Sequence, residues 1–299
     1  MGVKKGEEVL IISDSTRERI AEALFKASLD LEAEPIIAKM QPRTKHGEEP
    51  PSALAAMMLE ADVIIAPTEY SLTHTKARWN ASRAGARIAT MPGITEGMMD
   101  SGAMLADFGE IQRRMRRVYR KMRGGRTVDI ESELGTDITM SIKGRDWITE
   151  DVGICHRKGQ FTNLPAGEIF IAPREGTAEG KLVIDGTFFH PLDEPVRITV
   201  VEGYATRVMG ATEAVKEMNK GGRDGRNLAK LGMGLNDKAR TIGNVLEDEK
   251  ALGTIHIGFG DNSSYGGKVR CGVLVDAVIK NPTLIVDEVV VLEKGELKI

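Results

Sequence analysis

Residues 9–38, VLIISDSTRERIAEALFKASLDLEAEPIIA, change hydrophobic period twice. The run VLII at 9–12 is short, apolar and rich in branched side chains, as a buried strand requires. SDST at 13–16 offers the short oxygen-bearing side chains that suit a helix N-cap. Beyond it, Ile20, Leu24, Ala27 and Leu31 recur at helical spacing, and PIIA at 35–38 returns to the strand pattern. The alternation continues, with helices read over 52–61 and 75–84 and strands over 62–66 and 87–90. Strands alternating with helices predict a mostly parallel α/β sheet.

Near Gly124 and Gly125 the texture changes. Strand patterns dominate afterwards, over 137–142, 181–185, 196–201 and 283–292, with one helix around 211–219. The expected organisation is an α/β N-terminal domain over 1–125 and an α+β, strand-rich C-terminal domain over 126–299, built on a mixed or antiparallel sheet. No internal repeat is visible.

The 299 residues are enough for two ordinary domains. Hydrophobic residues make up 41% and charged residues 28%, the balance of a soluble globular protein. With 41 basic residues against 44 acidic ones, nucleic acid and anionic membrane are poor candidates as partners. The basic run Arg113, Arg114, Arg116, Arg117, Arg120, Lys121, Arg123 and Arg126 reads as a solvated helix face or a subunit contact. Two cysteines, Cys155 and Cys271, form no CxxC pair, which fits a reducing cytoplasm. The N-terminus is charged where a secretory signal needs an apolar stretch, and no apolar run approaches the ~20 residues of a membrane span. A cytoplasmic location is expected.

Three residues carry candidate chemistry. Glu168 follows a Pro-x-Gly turn at the mouth of the strand pattern IFIAP, where a carboxylate is held rigidly enough for a metal ligand or a general base. His256 stands in the apolar run TIHIGFG, flanked by glycines that leave room for a ligand. Asp276 interrupts VLVDAVI, and a buried acid needs a partner. Each has a plainer reading, as a surface acid, a hydrogen-bonded core histidine and a strand-edge acid. Together they could hold a divalent cation. Other chemistries lack their frames. The glycines at 221–225 have no P-loop around them, no HExxH or GxSxG occurs, and Cys155 and His156 point to opposite faces if they lie on a strand.

Five segments in order, NLPAGEIFIAP (163–173), NLAKLGMGLNDKA (227–239), GNVLEDEKALGTIHIGFGD (243–261), GGKVRCGVLVD (266–276) and VDEVVVLEKG (286–295), resemble the motif series of the aminopeptidase T metallopeptidases. The resemblance covers residues 150–299. It implies a homodimer in which divalent metals activate a water and polarise a scissile carbonyl, removing N-terminal residues from small peptides. By position, Glu168, His256 and Asp276 become metal ligands; Lys230 and Tyr265 are expected to line the pocket as catalytic residues. Lys230 stands where the family motif has a glutamate ligand, Leu274 where it has a histidine, and Cys271 where it has a serine. The cofactor expected is therefore zinc, cobalt, manganese or iron, as one ion rather than two. Two other outcomes follow from the same departures. One is a metal-free relative serving as a binding or assembly module. The other is a ring-cleaving dioxygenase, a branch of this fold that uses one non-haem iron held by two histidines and an aspartate. An enzyme predicts that the three ligands converge with Lys230 in an enclosed cleft, and a module predicts that Glu168 faces solvent or has Lys230 as a salt-bridge partner.

Overall fold

A computed structural model describes residues 1–298. The chain divides into two compact units, one formed by Met1–Phe108 with Glu150–Ala166 and the other by Gly109–Thr149 with the chain from Gly167 onward. The mixed α/β fold class expected from the sequence is present. No helix among the described residues is long and apolar enough to cross a membrane.

The first unit is a five-stranded sheet, ordered Glu34–Met40, Glu8–Asp14, Val63–Thr68, Arg87–Pro92, Phe161–Asn163, with every neighbouring pair parallel. Its helices, Glu18–Asp30, Ser52–Glu60 and Lys76–Ala84, alternate with the strands. The core joins Leu10, Ile12, Ile64 and Ile88 of the sheet to Leu54, Met58 and Ala81 of the helices. Two local expectations change. The 13–16 segment does not cap the first helix, because Asp14 ends the strand and its carboxylate accepts from the Thr16 and Glu69 amides. The helix starts at Glu18 without a side-chain cap. Its buried residues are Ile20, Ala21 and Ser28, whereas Ala27 is exposed and Leu31 lies past the last turn, also exposed.

The second unit holds two antiparallel sheets. An eight-stranded one runs Tyr204–Met209, Val196–Val201, Glu179–Ile184, Asp137–Ser141, Thr127–Glu131, Thr283–Val286, Val289–Glu293, Glu296–Leu297. A six-stranded one runs His190–Pro191, Thr187–Phe188, Leu274–Ile279, Ile255–Gly260, Leu228–Gly234, Glu168–Ile171. The basic run falls largely on the Phe108–Met122 helix, which buries Ile111, Met115, Val118 and Met122 and leaves most of its arginines outside. Arg114 is the exception, donating to the Leu235 carbonyl and to Asp237.

Candidate functional site

The six-stranded sheet builds the site by register. Lys230 pairs across with Gly258, which pairs in turn with Asp276. Gly232 lies opposite His256, and Gly234 opposite Glu168. Residues at even spacing on one strand share a face, so charged side chains alternate with glycines on that face. A side chain at 232 would overlap the His256 ring, and a Cβ at 258 would press on both Asp276 Oδ1 and Lys230 Cβ at 2.9 Å. Gly167, before Glu168, has φ +118 and packs against Asn236, a conformation and a space that only glycine meets.

Glu168, Lys230 and His256 are buried, and Asp276 is half-buried. Two more charged residues join them from the turn after the Val245–Asp248 helix, Glu249 and Lys250. Lys250 Nζ lies 2.6 Å from Glu168 Oε1 and 2.6 Å from Glu249 Oε1. Lys230 Nζ lies 3.2 Å from Glu249 Oε2, 3.3 Å from Glu168 Oε2 and 3.6 Å from Asp276 Oδ1. His256 Nε2 is 2.7 Å from Glu168 Oε2, yet neither ring nitrogen is aligned for a hydrogen bond.

The electrostatics follow from this packing. Burial pushes the Glu168 carboxyl up, but Lys230, Lys250 and His256 overcome it and hold the group well below the usual carboxylate range. Burial and the charge of Glu168 raise Glu249, and the two lysines again prevail. For Lys230, desolvation favours the neutral amine, and Asp276, Glu168 and Glu249 outweigh it, keeping the ammonium well above its ordinary value. Asp276 goes the other way: burial raises its carboxyl, and Lys230 offsets this only in part. Unlike those of Glu168 and Glu249, its carboxyl is pushed up rather than held down, and with 15% of its side chain exposed it is also the most exposed of the three.

The three residues singled out from sequence, Glu168, His256 and Asp276, thus converge, and Lys230 stands among them. Tyr265 is near but its hydroxyl is engaged, donating to the Asp261 carbonyl at 2.6 Å. Its ring meets Phe170 edge-on. Sequence reasoning passed over Glu249 and Lys250, although both stand in the quoted LEDEK segment. An acidic run with one lysine reads as a solvated helix end.

A family model for NicX, 2,5-dihydroxypyridine 5,6-dioxygenase, matches residues 1–299. The chain belongs to the NicX family. A curated 2,5-dihydroxypyridine 5,6-dioxygenase from Pseudomonas putida is 24% identical over 194 residues, 59% of this chain. The aligned stretch spans 55% of that relative. Among solved structures, the 2,5-dihydroxypyridine dioxygenase of Pseudomonas putida KT2440 superposes with a TM-score of 0.83 at 19% identity, covering 99% of this chain and 93% of the other. Wild-type AmpT of Thermus thermophilus gives 0.69 at 15% identity, covering 100% and 96%. The NicX and aminopeptidase T folds are therefore related through this chain. The expectation of a hydrolase, and of an aminopeptidase in particular, is overturned. The family model and the curated relative both bear the name of a dioxygenase. The five segments that suggested a peptidase report the shared fold, which does not fix the chemistry.

Glu168, Glu249 and His256 each turn one donor atom toward a common region, all within 4.8 Å of one another, which is a possible ligand triad. As folded, it does not fit a divalent ion. All four oxygens of the two glutamates already face an ammonium, and Leu274 supplies no lone pair where the aminopeptidase T motif has a histidine.

Proposed function

We propose that this chain is an oxygen-using, ring-opening enzyme of the NicX kind, acting on a small hydroxylated nitrogen-containing ring. The observation that carries the reading is the match of the whole chain to the dioxygenase family's model. The converged cluster supplies a place for the chemistry. A ring hydroxyl entering on the Asp276 side would meet a carboxylate of raised basicity, able to take its proton. The Lys230 ammonium, 3.6 Å from Asp276 Oδ1, would face the resulting ring oxyanion and stabilise it in a site of low dielectric. An electron-rich anion of this type supplies the electrons that dioxygen accepts. Both oxygen atoms enter the product, one ring bond breaks, and no external reductant is consumed.

The test is oxygen uptake by the purified chain with 2,5-dihydroxypyridine and other dihydroxypyridines, with and without added ferrous iron. The expected result is uptake matched by loss of ring absorbance, with two labelled atoms in the product when the gas is ¹⁸O₂. Silence across the panel would remove the reading.

One observation favours a second reading, a non-catalytic relative. Each oxygen of Glu168 and Glu249 already faces a lysine ammonium, so the charges of the two glutamates are balanced without a ligand, although Glu168 Oε2, Asp276 Oδ1 and the His256 nitrogens make no hydrogen bond. That reading predicts no uptake and no shift of the unfolding midpoint by any ring compound.

A further inference from the structure

The Lys230 ammonium lies among carboxylates. Three carboxylate oxygens, from Glu249, Glu168 and Asp276, surround it at 3.2, 3.3 and 3.6 Å. The Phe170 ring lies 5.0 Å away, a further electrostatic contact for a cation. Its stem runs from the Leu228–Gly234 strand past Gly258, where a Cβ would press on Lys230 Cβ at 2.9 Å. The neighbouring strand thus leaves the space that the lysine needs. Lys250 serves the remaining oxygens of Glu168 and Glu249 at 2.6 Å. At 3.2–3.6 Å the three contacts are longer than charge-assisted hydrogen bonds of about 2.7–2.9 Å, so the carboxylates balance the Lys230 charge as a cage around it rather than through one tight pair.

We propose that Lys230 is a built-in cation: its side chain takes the place between Glu168, Glu249 and Asp276 that a divalent ion would otherwise fill, and the site needs no metal. Two ammonium groups supply the charge of one divalent ion, and a metal entering the same cage would meet both at close range. The inference concerns what balances the carboxylates, and it stands whether or not ring opening is the reaction.

The experiment is metal loading followed by elemental analysis and thermal unfolding. The full chain is held without oxygen in ferrous iron, zinc or manganese, desalted and measured by plasma mass spectrometry. Wild type is expected to retain only traces and to show no shift in midpoint. Lys230→Glu is expected to retain about one equivalent and to gain stability with metal, both effects disappearing when His256→Ala is added. A stoichiometric ion in wild type, lost in His256→Ala, would overturn the proposal. So would a folded Lys230→Glu chain that binds none. If that variant does not fold, Lys230→Gln and wild type decide, since the wild-type arm alone can refute it. Metal-free wild type that fails to consume oxygen leaves this inference standing while removing the ring-opening reading.

Discussion

Lys250 lies wholly out of water, with its ammonium 2.6 Å from one oxygen each of Glu168 and Glu249. Desolvating such groups is costly, and the mutual attraction in the interior repays it only while the partners are complete. Removing the lysine leaves two neighbouring buried carboxylates with one cation fewer between them. Lys250→Met is therefore expected to destabilise the chain by about 3–5 kcal/mol, read as a fall in urea midpoint at neutral pH. Lys294→Met gives the contrast. That lysine pairs with Glu133 at the surface, where both side chains are at least 70% exposed, and its loss should hardly move the midpoint. Equal losses for the two variants would mean that the buried network does not behave as one. Little of this was legible at single residues. A lysine beside three acids in EDEK carries the same letters whether it faces solvent or core, and only the fold decides.

At the scale of the element, legibility depended on period and apolarity. Val196–Val201 alternates buried and exposed residues and could be read directly, as could the wholly buried Val63–Thr68. The 283–292 run was read as one strand but is two, Thr283–Val286 and Val289–Glu293, because Asp287 adopts φ +51 and turns the chain. Leu228–Gly234 was not read as a strand at all. Its sequence LAKLGMG holds a lysine and two glycines, poor strand formers, although every residue is buried. The reason is the site itself: Gly232 makes room for the His256 ring on the neighbouring strand, and Gly234 for the backbone of the Lys250–Ala251 turn. Gly232→Ala would put a methyl group into the His256 ring and should cost about 1–3 kcal/mol, the usual penalty of overpacking. Gly97→Ala, where a Cβ meets nothing, should change stability by less than about 0.5 kcal/mol. Parallel urea titrations check both, and a neutral Gly232→Ala would mean that the ring yields without strain.

The whole molecule departs from the linear order that its sequence suggests. The compact units divide at Phe108 and Gly109, and residues 150–166 return to the first unit after an excursion of about forty residues. That return places Phe161–Asn163 beside Arg87–Pro92 as the outer parallel strand, with Ile88 N–H donating to Gln160 C=O and Asn163 Oδ1 accepting from Thr90 and Thr73. Phe161 also packs on the core and over the Arg78 guanidinium at 4.5 Å. A three-residue strand carries too little periodicity to be seen in sequence, and its partner lies some seventy residues earlier. The boundary read near residue 125 therefore fits neither unit, since it keeps the Phe108–Met122 helix and omits the returning strand. A fragment of residues 1–125 should leave Arg87–Pro92 as an unpaired apolar edge and expose the amphipathic face of that helix, so that it aggregates or populates a loosely packed state. Residues 1–108 joined to 150–166 by a short glycine–serine linker restore the missing strand and should unfold cooperatively. Urea titration and gel filtration of the two fragments separate the cases. A cooperative, monomeric 1–125 fragment would show that the returning strand is dispensable to the sheet.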